Sequence, residues 1–419
     1  MNRLYSTLLA LALVLAVSGC AEHPASVSSQ VQLPTVNQSQ MASMGYVATP
    51  SGWFHRSCVV EIPDGAYVDA SGLVTRRDKT TFLIPTRCAY PSYPNLPRLG
   101  GPNAQFTPTS YGWIEDAQIT QSLPSWYSAI SAYWRVPPAP AGQYTDNQLY
   151  YTFPGLQANS ETAIIQSVLQ YGRNSWFGGN YWTLASWSVS GGVGHWSSWA
   201  VVQPGDLIFG WVRSSNCDGT SCDWAITSFD ITRVWATTYT ARLTKYYNFA
   251  TGGALETYGL TSCDQYPGTG VVFGPVAVLD ASGRPLSPTW TDTIRAQQPP
   301  LCSFNVTSTS TTVTLSYNGP PPPPPPPSLD VSITGPSRVN PNVYCYYSAT
   351  VSGGVQPYSY AWMQGSTVIG TDEWVDAYTG NSNFLLSVTA TDAGGAWGSA
   401  QRSVTVTPSA PTCPMRPSP

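Results

Sequence analysis

An all-β architecture is expected for this chain, a broad antiparallel β-sandwich with a smaller β-sandwich after it, and three observations predict it. Only 10% of the 419 residues are charged, against about 25% in an average soluble domain, so the Lys and Glu that clothe exposed helices are scarce. Aromatic residues reach 12%, with 16 Trp and 25 Tyr, and with Thr, Ser and Val they favour pleated, half-buried strands. Turn signals recur between short alternating runs from residue 110 to 306, the spacing of a sandwich.

Charge excludes one class of partner. The formal charge of −4 and a pI near 5.3 come with no basic stripe, so nucleic acid is not expected. Roughly 400 mature residues suggest two or three domains. Scarce charge and abundant Ser and Thr suit acidic surroundings.

Residues 1–19 carry one charge, Arg3, before an apolar run over 8–17 that is too short to span a bilayer and fits a signal peptide. Val17-Ser18-Gly19-Cys20 resembles the lipobox of bacterial lipoproteins, which implies cleavage before Cys20 and a lipid anchor on it. Ala21 after it implies the outer membrane for a Gram-negative source, so the expected location is the bacterial cell envelope, or secretion.

Removing Cys20 from the nine cysteines leaves an even number, as suits an oxidising compartment. Eight cysteines allow on the order of 100 connectivities. Nearest-neighbour pairing keeps each bridge inside one unit: Cys58 with Cys88, Cys217 with Cys222, Cys263 with Cys302, and Cys345 with Cys413. No metal or cofactor is expected, since Cys217 and Cys222 lack a second ligand pair, and His23, His55 and His195 are the only histidines.

The expected domains follow in order. Residues 20–50, rich in Ser, Gln and Val without periodicity, read as a flexible tether. Residues 51–100 hold strand-like runs over 58–62 and 80–84 between Asp64-Gly65 and Ser71-Gly72 turns, either a small disulfide-closed β subdomain or an inhibitory pro-segment. The core spans 101–310, with strands expected over 128–136, 148–154, 162–172, 181–190, 207–213, 224–232, 235–243, 254–260 and 271–279. Eight prolines at 320–327 make 311–328 a stiff polyproline linker of roughly 25 Å. A second β domain over 329–409 and a tail at 410–419 complete the chain. Its Pro357-Tyr-Ser-Tyr-Ala-Trp362 and Val388-Thr-Ala-Thr-Asp392 with Gly394-Gly395 resemble the PKD or immunoglobulin-like modules of secreted bacterial hydrolases. The resemblance implies a spacer or a glycan or cell-surface binder.

The core is organised around 148–172. Period-two geometry puts Ile164, Gln166, Val168 and Gln170 on one face of a strand and Ala163, Ile165, Ser167 and Leu169 on the other. Two amides on an aliphatic face are a satisfied polar patch or a groove floor. Farther on, Tyr181, Thr183, Ala185, Trp187 and Val189 share a face opposite Trp182, so aromatics lie on both sides of that strand, as core or as a groove lining.

A serine hydrolase finds little support: no Gly-x-Ser-x-Gly elbow is present, and a triad would rest on His195 alone. Carboxylates remain, and the core glutamates are Glu115, Glu161 and Glu256. Glu256 lies in Gly252-Gly-Ala-Leu-Glu256-Thr-Tyr258, where apolar and aromatic neighbours would raise a carboxyl pKa toward proton transfer.

An ordered series of short segments resembles the glutamic peptidases of the eqolisin type. Tyr133-Trp-Arg-Val-Pro137 resembles the opening strand, and Tyr151-Thr-Phe-Pro-Gly-Leu156 followed by Ala163-Ile-Ile-Gln166 resembles the segment carrying the catalytic Gln. Val202-Gln-Pro-Gly-Asp206-Leu-Ile208, Ala254-Leu-Glu256-Thr-Tyr258 and Gly268-Thr-Gly-Val-Val-Phe273 resemble the turn, the catalytic-Glu segment and the strand after it. Phe153 and Leu156 replace the family's Trp and Asp in the first segment, and Thr257 displaces the aromatic after the Glu. The resemblance covers 110–279 and implies a lectin-like sandwich, a polypeptide substrate, acid-acting endopeptidase activity, and Gln166 and Glu256 as catalytic residues on adjacent strands of one sheet, both touching one water. Phe153, Gln170, Trp187 and Tyr258 are groove candidates, Gln170 being also a rival to Gln166. A carbohydrate-binding or adhesion protein on the same sandwich is the alternative; it would show aromatics in an exposed row and no need for the Glu256 carboxylate.

Overall fold

The alternation along 163–173 is what builds the molecule, because the central strands of its sheet, Leu149–Ala158, Ala163–Arg173 and Phe249–Tyr258, bury both faces. The computed structural model describes residues 38–94, 112–146, 148–158, 163–268, 270–295, 301–317, 329–365, 367–393, 396–411 and 413. The expected leader at 1–19, Cys20, Glu161, Gly394-Gly395 and the prolines at 320–327 lie outside them.

The chain is all-β, and two sheets form the core sandwich. The first runs, edge to edge, Thr291–Ile294, Gly112–Thr120, Phe249–Tyr258, Leu149–Ala158, Ala163–Arg173, Gly178–Ser190, Val193–Ser197 and Val59–Ile62, with Ala200–Val202 also paired to Gly178–Ser190. The second runs Asn305–Ser308, Val313–Ser316, Gly270–Asp280, Tyr127–Arg135, Leu207–Ser215, Ser221–Asp230, Trp235–Thr244, Tyr67–Val68, Leu73–Thr75 and Thr81–Leu83. Ile165, Leu169, Trp182, Leu184 and Leu255 pack between the sheets against Ile130, Trp134, Ile208, Ile226 and Phe273. Ile164, Val168, Trp187, Phe153 and Tyr258 face away from that layer, in a second apolar cluster. The period-two reading of 163–170 therefore holds residue by residue.

The second cluster is closed from outside by the N-terminal part of the chain. A hairpin of Tyr46–Thr49 and Gly52–His55, with Tyr93–Pro94 as its third strand, lays Tyr46, Val47, Trp53 and Phe54 on the outer face, and Met41 of the helix Gln38–Ser43 joins them. From Gln38 onward the expected tether is therefore packed structure: Met41 and Tyr46–Ala48 give apolar surface to an aromatic face that would otherwise be wet. Nor is 51–100 self-contained. Val59–Ile62 pairs in parallel with Val193–Ser197, and Tyr67–Val68 pairs in parallel with Trp235–Thr244, so the segment extends both sheets. The core also passes residue 310, since Val313–Ser316 pairs with Gly270–Asp280.

All four nearest-neighbour pairs are disulfides: Cys58–Cys88, Cys217–Cys222, Cys263–Cys302 and Cys345–Cys413. Among the described residues no helix is long and apolar enough to cross a membrane. The C-terminal domain is a second sandwich, with Asp330–Thr334, Tyr344–Ser352 and Trp374–Tyr378 in one sheet and Arg338–Val339, Trp397–Val406, Phe384–Thr391, Ser359–Gln364 and Thr367–Gly370 in the other, closed around Trp362. Its Met363 and Trp397 pack on Tyr133, Phe209, Trp211 and Phe229 of the second core sheet, and the Thr389 hydroxyl donates to the Tyr133 hydroxyl at 3.0 Å.

Candidate functional site

The outer face of the first sheet gathers the polar groups that the sequence singles out. The strand Leu149–Ala158 runs between Ala163–Arg173 and Phe249–Tyr258. Directly paired residues share a face, so the pairings of Tyr151 with Gln170 and Glu256, and of Gly155 with Gln166 and Thr251, set two rows. Gln166, Gln170, Glu256 and Tyr258 thus project from one face with Phe153 and Trp187. Gly155 makes room for Gln166, since a Cβ there would lie 3.1 Å from the Gln166 Cβ and 3.0 Å from the Ile165 carbonyl oxygen.

The rows also correct the expected geometry. Glu256 and Gln166 are on strands that flank a third, not on adjacent strands, and Glu256 is level with Gln170, four residues beyond Gln166. With strands about 4.8 Å apart and a rise of about 3.3 Å per residue, their α-carbons stand roughly 10 Å apart across the sheet and about 13 Å along it. Long side chains bring the end groups closer than the α-carbons, and both reach the same turn of the chain, Gln166 at the Pro50 carbonyl and Glu256 through the Tyr258 hydroxyl beside the Thr49 carbonyl. The bulge at Thr251–Gly253 shifts the pairing by one residue: it turns Gly252 and Gly253 inward, toward Val313, Trp290 and Phe273, and leaves Thr251 rather than Gly252 opposite Gly155 in the Gln166 row. Among the described pairings the carboxylate of that row is Glu61, exposed and opposite Trp196 on the edge strand Val59–Ile62.

What the polar groups do touch is backbone. Gln166 and Glu256 are 0% exposed because the hairpin tip covers them. The Gln166 amide Nε2 donates to the Pro50 carbonyl and to Ser51 Oγ, the latter at 3.2 Å. The Tyr258 hydroxyl is 2.9 Å from the Thr49 carbonyl oxygen and 2.5 Å from Glu256 Oε1. The Tyr151 hydroxyl reaches the Ala48 carbonyl at 3.5 Å. Burial pushes that hydroxyl well above its ordinary pKa, and the Glu256 charge adds to the shift, so Tyr151 stays a neutral donor. Three successive carbonyls, Ala48, Thr49 and Pro50, lie against polar side chains of the sheet, with the single Tyr258 proton shared between the Thr49 carbonyl and the nearer Glu256 Oε1.

Gln170 has a different use. Its Nε2 donates to the Gly172 and Phe177 carbonyls at 2.9 and 3.4 Å, and its Oε1 accepts from Asn174 Nδ2 at 3.0 Å, which pins the loop after its strand. Phe153, Trp187 and Tyr258 are buried beneath the hairpin rather than lining an open groove. His195 faces the other way. Its Nδ1 is 3.3 Å from Ser188 Oγ, which accepts from the Tyr239 hydroxyl at 2.8 Å, and burial drops its pKa to about 4.

Sequence reasoning missed Tyr151, Thr251 and the hairpin. The signal was there: an alternating Tyr46-Val-Ala-Thr49 run, a Pro50-Ser51-Gly52 turn, then Trp53-Phe54.

No protein-family model matches the chain, and no curated protein matches it. Among solved structures it is similar to scytalido-glutamic peptidase with a peptide-based transition-state analogue, at 16% identity and a TM-score of 0.38, over 50% of this chain and 100% of that one. It is also similar to SCP-B, a member of the eqolisin family in a complex with the tripeptide Ala-Ile-His, at 17% identity and a TM-score of 0.37 over the same shares. A third similar structure is of Clostridium thermocellum CbhA fibronectin(III)-like modules, at 13% identity and a TM-score of 0.17, over 48% of this chain and 84% of that one.

Proposed function

We propose that this chain is an exported peptide-binding protein on a glutamic-peptidase-type sandwich, held at the cell envelope by a lipid on Cys20. One observation carries the reading: the Gln166 amide donates to the Pro50 carbonyl, and the Tyr258 and Tyr151 hydroxyls lie against the two carbonyls before it, Thr49 and Ala48. Hydrogen bonds to main-chain carbonyls hold a polypeptide without regard to its side chains, as in strand addition. The C-terminal sandwich, packed on the opposite sheet, leaves that face to the ligand and serves as a spacer or as a contact to surface glycan.

Hydrolysis is the second reading, favoured by the Gln166 amide on the Pro50 carbonyl. There Glu256 would take a proton from water attacking the carbonyl carbon and return it to the leaving amine, while Gln166 donates to the developing oxyanion, a contribution of about 10²–10³ in rate. The register offset between the two residues weighs against it.

The test is digestion of a denatured protein substrate from pH 2 to 7 by the chain and by its Glu256→Gln and Gln166→Ala variants, beside peptide binding measured calorimetrically on the same samples. Binding without cleavage supports the first reading. Acid-dependent cleavage lost in both variants replaces it with the second. Neither binding nor cleavage, by the chain and by a Trp53→Ala/Phe54→Ala variant that frees the covered face, refutes both.

A further inference from the structure

Residues 46–55 have the contacts of a ligand and the connectivity of a hinged flap. We propose that this hairpin is an intramolecular ligand that keeps the site closed, its Thr49-Pro50-Ser51 tip standing where an external polypeptide turn binds. The proposal rests on the peptide-binding reading and adds how the site is regulated and what it recognises.

The tip is seated by specific contacts. Thr49 and Ser51 are 0% exposed, the Pro50 carbonyl accepts from both Gln166 Nε2 and the Ser51 hydroxyl, and the Trp53 ring meets Tyr258 edge-on at 5.6 Å. The occupant is uncharged throughout, reading Tyr46-Val-Ala-Thr-Pro-Ser-Gly-Trp-Phe54. A competing ligand that copies this occupant is a neutral, proline-containing turn, the Glu256 carboxyl under the cover being already engaged by the Tyr258 hydroxyl.

The flap has a defined pivot. After His55 comes the 3₁₀ turn Arg56–Cys58, in which Arg56 and Ser57 are exposed. Beyond it the chain is fixed by the Cys58–Cys88 disulfide and by the parallel pairing of Val59–Ile62 with Val193–Ser197. Among the described residues the hairpin pairs with itself and with the two-residue strand Tyr93–Pro94. It can lift by exchanging side-chain and carbonyl contacts while both core sheets keep their ladders.

Thiol labelling tests this on the full mature chain, whose other cysteines are bridged or lipidated. Ser51→Cys should react on the order of 100-fold more slowly than the exposed Ser282→Cys, because reaction waits for local opening. An excess of the heptapeptide Val-Ala-Thr-Pro-Ser-Gly-Trp, copied from residues 47–53, should accelerate it by holding the site open. A Trp53→Ala/Phe54→Ala variant, checked for intact near-UV circular dichroism, should bind that peptide directly, with a scrambled peptide as control. Equal labelling of the two cysteines overturns the closure and leaves the peptide-binding reading standing. Slow labelling of Ser51→Cys, with no peptide binding by the lifted variant, overturns the reading and the inference together.

Discussion

Replacing Glu115 by Gln should flatten the decline of stability with rising pH. Glu115 pairs with Leu255, which packs between the sheets, so its carboxyl points into the sandwich interior, near enough to Tyr150, Tyr266 and Tyr317 for its charge to push their hydroxyls up. Burial raises its pKa from 4.5 to about 9; the Asn305 backbone N–H offsets this in part and the Asp116 charge adds to it. The sign follows from linkage. Between pH 4.5 and 9 the folded chain keeps a proton that the unfolded chain loses, so stability is full below 4.5 and falls as pH rises through that window. At 1.36 kcal/mol per pKa unit the loss by pH 7 is roughly 3 kcal/mol. Glu115→Gln cannot ionise, so it should lose that slope, whatever constant cost its extra donor brings. Urea unfolding at pH 4, 5.5 and 7 reads it: the gap between variant and parent should widen in favour of the variant by roughly 3 kcal/mol from pH 4 to 7. Parallel curves would show that Glu115 is not held protonated.

Other perturbations address the same fold. His195, depressed to about 4 from 6.5, costs stability as pH falls from 6.5 toward 4, so His195→Gln should gain up to roughly 3 kcal/mol at pH 4 relative to pH 7, read in the same titration. Gly155→Ala should crowd Gln166 and loosen the hairpin tip, costing about 1–3 kcal/mol, seen as faster hydrogen exchange confined to residues 46–55. Removing the Cys58–Cys88 bridge with paired Ser substitutions should cost about 2–4 kcal/mol, seen as a lower unfolding midpoint in urea. Met363→Glu should separate the C-terminal sandwich from the core by burying a charge against Phe209 and Trp211, measured as an expanded radius of gyration with core stability unchanged.

Much of the fold is legible in the primary structure because the strands are long and strictly alternating. Ile164 and Val168 on one side and Ile165 and Leu169 on the other can be placed from spacing alone, whereas a common face for Gln166 and Glu256 follows only from the resemblance to the glutamic peptidases. Spacing does not report which residue of a neighbouring strand stands opposite. That depends on the strand register, which sets Glu256 level with Gln170, and on the bulge at Thr251–Gly253, where two glycines turn inward and Thr251 rather than Gly252 comes level with Gln166. The hairpin escaped for a similar reason: Tyr46–Thr49 and Gly52–His55 are too short to declare themselves, and only the aromatic face they cover makes them strands.

The sequence by itself therefore determined the class of the fold, the pairing of its cysteines and the composition of each strand face, because periodicity and sequence proximity are local properties. The tertiary structure alone decided which polar groups meet, since register, the bulge and the docking of residues 46–55 are non-local. Gln166 and Glu256 are both present on the face, yet what lies between them is the chain's own Thr49-Pro50-Ser51 turn.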